Sequence, residues 1–153
     1  MGLPPFQTFL DDHRDTVFRF LVATVGPDEA EDCFQETFIS ALRAYPRLKP
    51  ESNLRAWVLT IAHRKALDLF RARKRRPLSV EEVPERAVAG SPNGRSEVWT
   101  AARDLPAKQR EALLYRFAAD LPYSDMAEAL GCSEEAARQR VSEAVRNLRK
   151  VMQ

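Results

Sequence analysis

From Phe6 to Leu148 the apolar residues recur at intervals of three and four, and no Asn-Gly or Asp-Gly pair lies between alternating β-branched runs. That spacing gathers apolar side chains on one face of a helix and would scatter them over both faces of a strand, so the fold class is all-α. Hydrophobic residues make up 44% of the chain and charged residues 30%, which supplies a core and a solvated surface and argues against wholesale disorder. At 153 residues the length fits one ordinary domain or two small ones.

Helix punctuation decides for two. A first helix is predicted from Phe6 to Val25, with Phe9, Leu10, Val17, Phe20, Leu21 and Thr24 on one face, ended by Gly26-Pro27. Asp28 is expected to cap a second helix, with Glu31 completing a capping box. Phe34, Phe38, Ala41, Leu42 and Tyr45 form its apolar stripe, leaving Asp32, Gln35, Glu36 and Ile39 facing away. A loop from Arg47 to Asn53 leads into a long helix from Leu54 to the arginine run, with Leu54, Trp57, Val58 and Ile61 on its buried face and Pro77 as its stop. Residues 78–95 hold Pro84, Gly90, Ser91, Pro92, Asn93 and Gly94 without an apolar period, the composition of an interdomain linker. The predicted domains are 1–77 and 96–153, the second opening on a short helix at Val98-Trp99 and another from Leu105-Pro106 through Leu113, Leu114 and Phe117.

The run YSDMAEALGCSEEAARQRVSEAVRNLRK, from Tyr123, has the layout of a helix-turn-helix. Ala127 is small enough for two helices to cross, Gly131 tolerates the positive φ of the turn, and Ser133 caps the second helix. Met126, Leu130 and Cys132 are expected to face the core, with Ala137, Val141, Ala144, Val145 and Leu148 as the inner stripe. The N-terminal part of such a helix reads base edges, which makes Glu135, Arg138, Gln139 and Ser142 candidate readers and Arg140, Arg146, Arg149 and Lys150 candidate phosphate contacts.

The charge is segregated. Residues 1–54 carry nine acidic side chains against five basic ones, whereas residues 55–76 carry eight basic against Asp68 alone. One short block therefore holds nearly all the positive excess, which points to a local polyanion contact. Arg71, Arg73, Lys74, Arg75 and Arg76 follow Trp57, Thr60, His63, Arg64 and Lys65 on the same predicted helix. An edge aromatic, hydrogen-bonding side chains and cations together suit melted DNA, where bases stack and the backbone is neutralised.

Other chemistries find no support. Cys33 and Cys132 lie outside any CxxC or Cys-His spacing and read as buried small apolar residues; neither a metal nor another cofactor is expected. His13 and His63 are too isolated to propose as catalysts, so no enzymatic activity and no small-molecule substrate are expected. The opening MGLPPFQTFLDDHRD has no basic leader before an apolar run, and no stretch of about 18 apolar residues follows. The expectation is a cytoplasmic protein without membrane insertion.

Together these motifs resemble a known family. DCFQETFISALRAY resembles the polymerase-binding helix of extracytoplasmic-function sigma factors, of the sigma-70 superfamily; NLRAWVLTIAHRKALD resembles their promoter-melting helix, and LPAKQREALLYRF with the helix-turn-helix resembles their second DNA-binding domain. The resemblance implies a factor that gives core RNA polymerase its promoter specificity in a stress or signal response. The first domain would dock on polymerase through Asp32, Gln35, Glu36 and Ile39 and recognise the minus-ten element; the second would recognise the minus-thirty-five element as duplex. An anti-sigma protein is the further partner it implies. Where the family usually has Asn, this chain has Arg64, and where it often has Phe-Arg-Gly it has Leu48, Lys49 and Pro50. Those family positions form the pocket for a flipped promoter base, so the base preference does not carry over. Glu135, Ala136 and Ala137 likewise replace a common Gly-Thr-Val.

Two other readings use part of these features. A sigma-mimicking adaptor would sequester an anti-sigma factor without touching DNA, and leaves the cations of residues 71–76 and 138–149 without a role. A conventional helix-turn-helix regulator leaves the QETF and WVLTIA segments unexplained.

Overall fold

The computed structural model describes residues 2–75 and 94–152, and among these residues every regular element is helical. The side chains of Arg75, Arg95 and Ser96 lie outside that description, as do Arg76, Pro77 and residues 78–93 of the expected linker. The elements are α1 (Phe6–Val25), α2 (Pro27–Ala44), a 3-10 turn (Tyr45–Arg47), α3 (Leu54–Arg75), α4 (Gly94–Ala102), α5 (Ala107–Leu113), a π-helical turn (Leu114–Ala118), α6 (Tyr123–Leu130) and α7 (Glu134–Met152).

α1 ends where expected, but α2 starts differently. Gly26 is its N-cap at φ 92 and ψ 161, Pro27 is its first residue, and no side chain caps it. The Asp28 capping box is therefore corrected: proline, with φ already helical and no N–H to satisfy, moves the cap from Asp28 back to Gly26 and starts the helix two residues earlier. Asp28 and Glu29 instead sit in the first turn, where the helix dipole favours them. The φ of Gly26 is one that a side chain would strain.

α1, α2 and α3 pack on one another around Phe9, Val17, Phe20, Leu21, Phe38, Val58 and Leu59, each 5% exposed or less. Burying each such side chain contributes about 1.5–3 kcal/mol. The stripe of α2 departs from expectation at Leu42, which is 54% exposed, while Ala30, Cys33, Thr37, Phe38 and Ala41 line the buried side. Spacing alone admitted Leu42 because it sits at the margin of the stripe. Burial, with Glu36, Glu29 and Asp32 adding to it, pushes the Cys33 thiol upward, so it stays protonated. Cys132 is half-buried, not buried as expected, because it lies in the turn after α6.

His13 packs its ring 5.2 Å from that of Phe9, and its Nδ1 is buried with no hydrogen-bond partner among the described residues. Burial, then Arg55, hold its pKa below the usual 6.5, against a smaller opposing pull from Asp12. The folded state thus binds fewer protons at this site than the unfolded chain, so stability is complete above about pH 6.5 and declines as pH falls toward the lowered value. Tm measured from pH 7.5 down to 5.5 should fall less in His13→Gln than in wild type; parallel curves would remove His13 from the account.

In the second stretch α5 runs into the π turn, closed by Ala119 N–H donating to the Leu114 carbonyl at 3.0 Å. The wider turn sets Tyr115 inward at 1% exposure and Phe117 outward at 52%. Asp120, at φ 62, then reverses the chain, a conformation that aspartate tolerates. The helix-turn-helix forms as read: Gly131 is left-handed at φ 70 and ψ 38, and Ser133 Oγ accepts the Ala136 N–H at 3.0 Å.

The two stretches meet. The Phe20 ring stacks on Tyr115 at 5.4 Å and 14°, and α3 packs against α6. Asn53 accepts the Ala56 N–H at 3.0 Å, capping α3, and its Nδ2 donates to Asp125 Oδ1 at 2.7 Å.

Candidate nucleic-acid interface and docking face

Helical spacing brings Trp57, Thr60, Ile61, Arg64 and Lys65 to one side of α3, opposite Ser40 and Ala44 of α2, and the seven line a groove of about 220 Å³. Trp57 is half-buried: its ring lies 5.7 Å from Phe9 and 6.3 Å from Tyr45, while the side chain also lines the groove. Core packing and an open edge therefore coexist in one residue. Thr60 Oγ1 donates to the Trp57 carbonyl at 2.6 Å and keeps its acceptor capacity. An aromatic wall with two cations at the rim can stack a base and neutralise a backbone. Ser40 and Ala44 escaped the sequence reading; their signal is small side chains at i and i+4 beside the buried stripe of α2.

Other residues assigned to this surface lie elsewhere. Leu48 is apolar and packs, half-buried, against the hydrophobic core, so it does not line the groove. His63 sits about 200° round α3 from Ile61. Its Nε2 is 3.1 Å from Glu111 Oε2 of α5, with side chains 16% and 26% exposed. Its Nδ1 is buried without a hydrogen-bond partner among the described residues. His63 thus faces the second stretch of the chain in this arrangement. Farther along α3, Arg71 pairs with Asp68 at 3.3 Å and Arg73 with the half-buried Glu29 at 3.1 Å, the other three side chains being exposed, and Lys74 is exposed. Surface pairs of this kind contribute about 0–1 kcal/mol, so a phosphate can replace the carboxylate.

On α7, Ala137, Val141 and Ala144 are buried, and Glu135, Arg138, Gln139, Ser142, Arg146 and Arg149 are exposed along the opposite side. Arg140 is half-buried. Gln139 Nε2 donates to Glu143 Oε2 at 3.1 Å, and Asn147 Nδ2 donates to Gln109 Oε1 at 2.8 Å, tying α7 to α5. On α2, Asp32, Gln35, Glu36 and Ile39 share an exposed face that Leu42 extends, Ile39 being 49% exposed. Two bare aliphatic side chains beside three polar ones make this exposed face amphipathic.

The match to known families covers both stretches. Residues 9–76 match sigma-70 region 2 and residues 95–148 match sigma-70 region 4. The extracytoplasmic-function sigma factor SigC of Mycobacterium tuberculosis is 34% identical over 144 residues, covering 90% of this chain and 78% of that one. The chain belongs to the extracytoplasmic-function group of sigma-70 factors. This sigma factor shares its fold with CnrH, solved in complex with the cytosolic domain of CnrY, at TM-score 0.75 and 21% identity over 96% of this chain and 86% of that one. It also shares the fold of the sigma factor RpoE of Bartonella quintana, solved with the anti-sigma factor NepR, at TM-score 0.69 and 22% identity over 95% and 97% of the two chains. Sigma factors are transcription initiation factors, a role exercised by binding. Among the described residues of this one, no helix is long and apolar enough to cross a membrane.

Proposed function

We propose that this sigma factor carries three surfaces with separate tasks. The α2 face of Asp32, Gln35, Glu36, Ile39 and Leu42 docks on core RNA polymerase. The groove of Trp57, Thr60, Arg64 and Lys65, with Arg71, Arg73 and Lys74 beyond it, takes the melted minus-ten strand. The exposed side of α7 reads the minus-thirty-five duplex through Glu135, Arg138, Gln139 and Ser142, with Arg140, Arg146 and Arg149 on phosphates. The observation that carries this reading is the groove, where an aromatic wall and cations converge between α2 and α3 on the same three-helix unit as the docking face. By sequence, Arg75 and Arg76 belong to the same set of cations for the melted strand. Residues 1–77 and 96–153 act as the two domains, joined by residues 78–95.

Binding alone drives the reaction: duplex recognition positions the groove to trap bases as they unstack, and no side chain of this chain makes or breaks a bond. His63 reaches promoter DNA only when it leaves Glu111. The site of action is the cytoplasm, where polymerase and promoter meet. An anti-sigma protein is a fitting regulator, since both solved relatives named above were captured with a protein partner and one of those partners is an anti-sigma factor.

The test is run-off transcription from a promoter library with core polymerase, with and without this chain. Specific initiation that depends on two separated promoter elements is the expected result. A protein that leaves core polymerase unchanged, yet footprints a palindrome alone, would make it a conventional helix-turn-helix regulator.

A further inference from the structure

The first residue of α6, Tyr123, packs against the core and carries two guanidinium groups on its ring. The Arg116 Cζ, from the π turn, is 4.3 Å from the ring centroid, and the Arg138 Cζ, from the second turn of α7, is 4.9 Å away. Both distances fall inside the roughly 6 Å range of cation–π attraction. The two cations differ in how they are held. Arg116 is half-buried and its Nη1 donates to the Leu121 carbonyl at 2.8 Å, which fixes it to the strap between the π turn and α6. Arg138 is exposed, and its ion pair with Glu134, one turn back, is long at 3.8 Å. The ring is what gives the Arg138 side chain a defined place.

We propose that Tyr123 is a positioning residue for base recognition: its ring, braced by Arg116, holds the Arg138 guanidinium in the direction of the major groove, ready for a guanine edge. Guanine is the base whose paired acceptors match the parallel donors of a guanidinium. Stacking on an aromatic face leaves those donors free and lowers the freedom lost when the contact forms. The inference rests on α7 being the duplex reader. Sequence reading did not reach it, because residues 116, 123 and 138 come from three elements.

Tyr123→Phe keeps the ring, and Tyr123→Leu keeps apolar bulk without a π face. Two quantities are read on the full chain: the ring-current shift of the Arg138 side-chain protons by NMR, and base preference in run-off transcription from promoters randomised at the minus-thirty-five element. Wild type and Tyr123→Phe should show the shift and a sharp guanine preference at one position. Tyr123→Leu should lose the shift and flatten that preference by about two- to fivefold, leaving other positions intact. Combined with Arg138→Ala it should be no worse than Arg138→Ala alone. Additive losses, or a preference lost evenly across the element, overturn the inference. So does a Tyr123→Phe defect equal to that of Tyr123→Leu, which would assign the work to the hydroxyl. Unchanged base preference in Arg138→Ala, with the shift present in wild type, instead removes α7's assigned reader and the recognition role together. Should Tyr123→Leu not fold, Arg116→Met removes the brace; an unchanged shift and preference in it overturn the proposal.

Discussion

Glu36→Lys combined with Leu42→Asp should lower run-off initiation by at least about tenfold at every promoter tested, whatever its minus-ten or minus-thirty-five sequence. Both side chains are exposed on α2, so the change should leave the fold within about 0.5 kcal/mol of wild type. The loss arises because the pair reverses a charge and places a carboxylate in the apolar part of the face, and residues central to an interface cost about 2 kcal/mol or more when disabled. Promoter independence is the decisive readout. A defect confined to promoters with a weak minus-ten element would put this face on DNA and remove it from polymerase docking. Direct titration of labelled core polymerase should show the same factor as transcription.

Tyr115→Ala is expected to be the most destabilising single change in the second stretch, at about 3–5 kcal/mol. The ring is 1% exposed and stacks on Phe20 across the junction of the two stretches. Burial, with Glu111 adding to it, drives its hydroxyl far above the usual tyrosine range, so the phenol stays neutral. The truncation would also loosen the seat of the His63–Glu111 pair, because the His63 ring lies 5.8 Å from that of Tyr115. Calorimetry should show one cooperative transition in wild type and two in Tyr115→Ala, as α1 and the π turn uncouple. Tyr115→Phe, which keeps the ring, should stay within about 1.5 kcal/mol of wild type. A cost below about 1 kcal/mol for the alanine variant would mean that the junction contributes little to stability.

Much of the architecture was legible because helix signals are local. A helix from about Phe6 to Val25 could be read from apolar spacing and Gly26-Pro27, and Gly131 and Ser133 set the turn of the helix-turn-helix as their chemistry requires. Local signals misled where two competed, as at Asp28, a good capping residue overruled by Pro27 at the first helical position. The exposed faces of α2 and α7 were readable as the complements of their buried stripes. The groove was only half readable: Trp57, Thr60, Arg64 and Lys65 share a helix face, but Ser40 and Ala44 arrive from a neighbouring helix through packing. Leu48 was grouped with that surface by the family resemblance and His63 by its place on the same helix, and packing sends both elsewhere. The pairing of Phe20 with Tyr115, 95 residues apart, leaves no trace in any local pattern.

The π turn at Leu114–Ala118 is a phase marker. A helix that accommodates one surplus residue rotates everything beyond it by about 100° relative to an uninterrupted α-helix. Deleting a single residue there would restore regular winding and turn α6 and α7 to a different azimuth against α1 and α3. The bearing of α6 and α7 on α1 and α3 thus depends on residue number in a five-residue stretch, as much as on the side chains packed between them. Grafting the second half of one such factor onto the first half of another would preserve that bearing only if the cut falls ahead of Leu114.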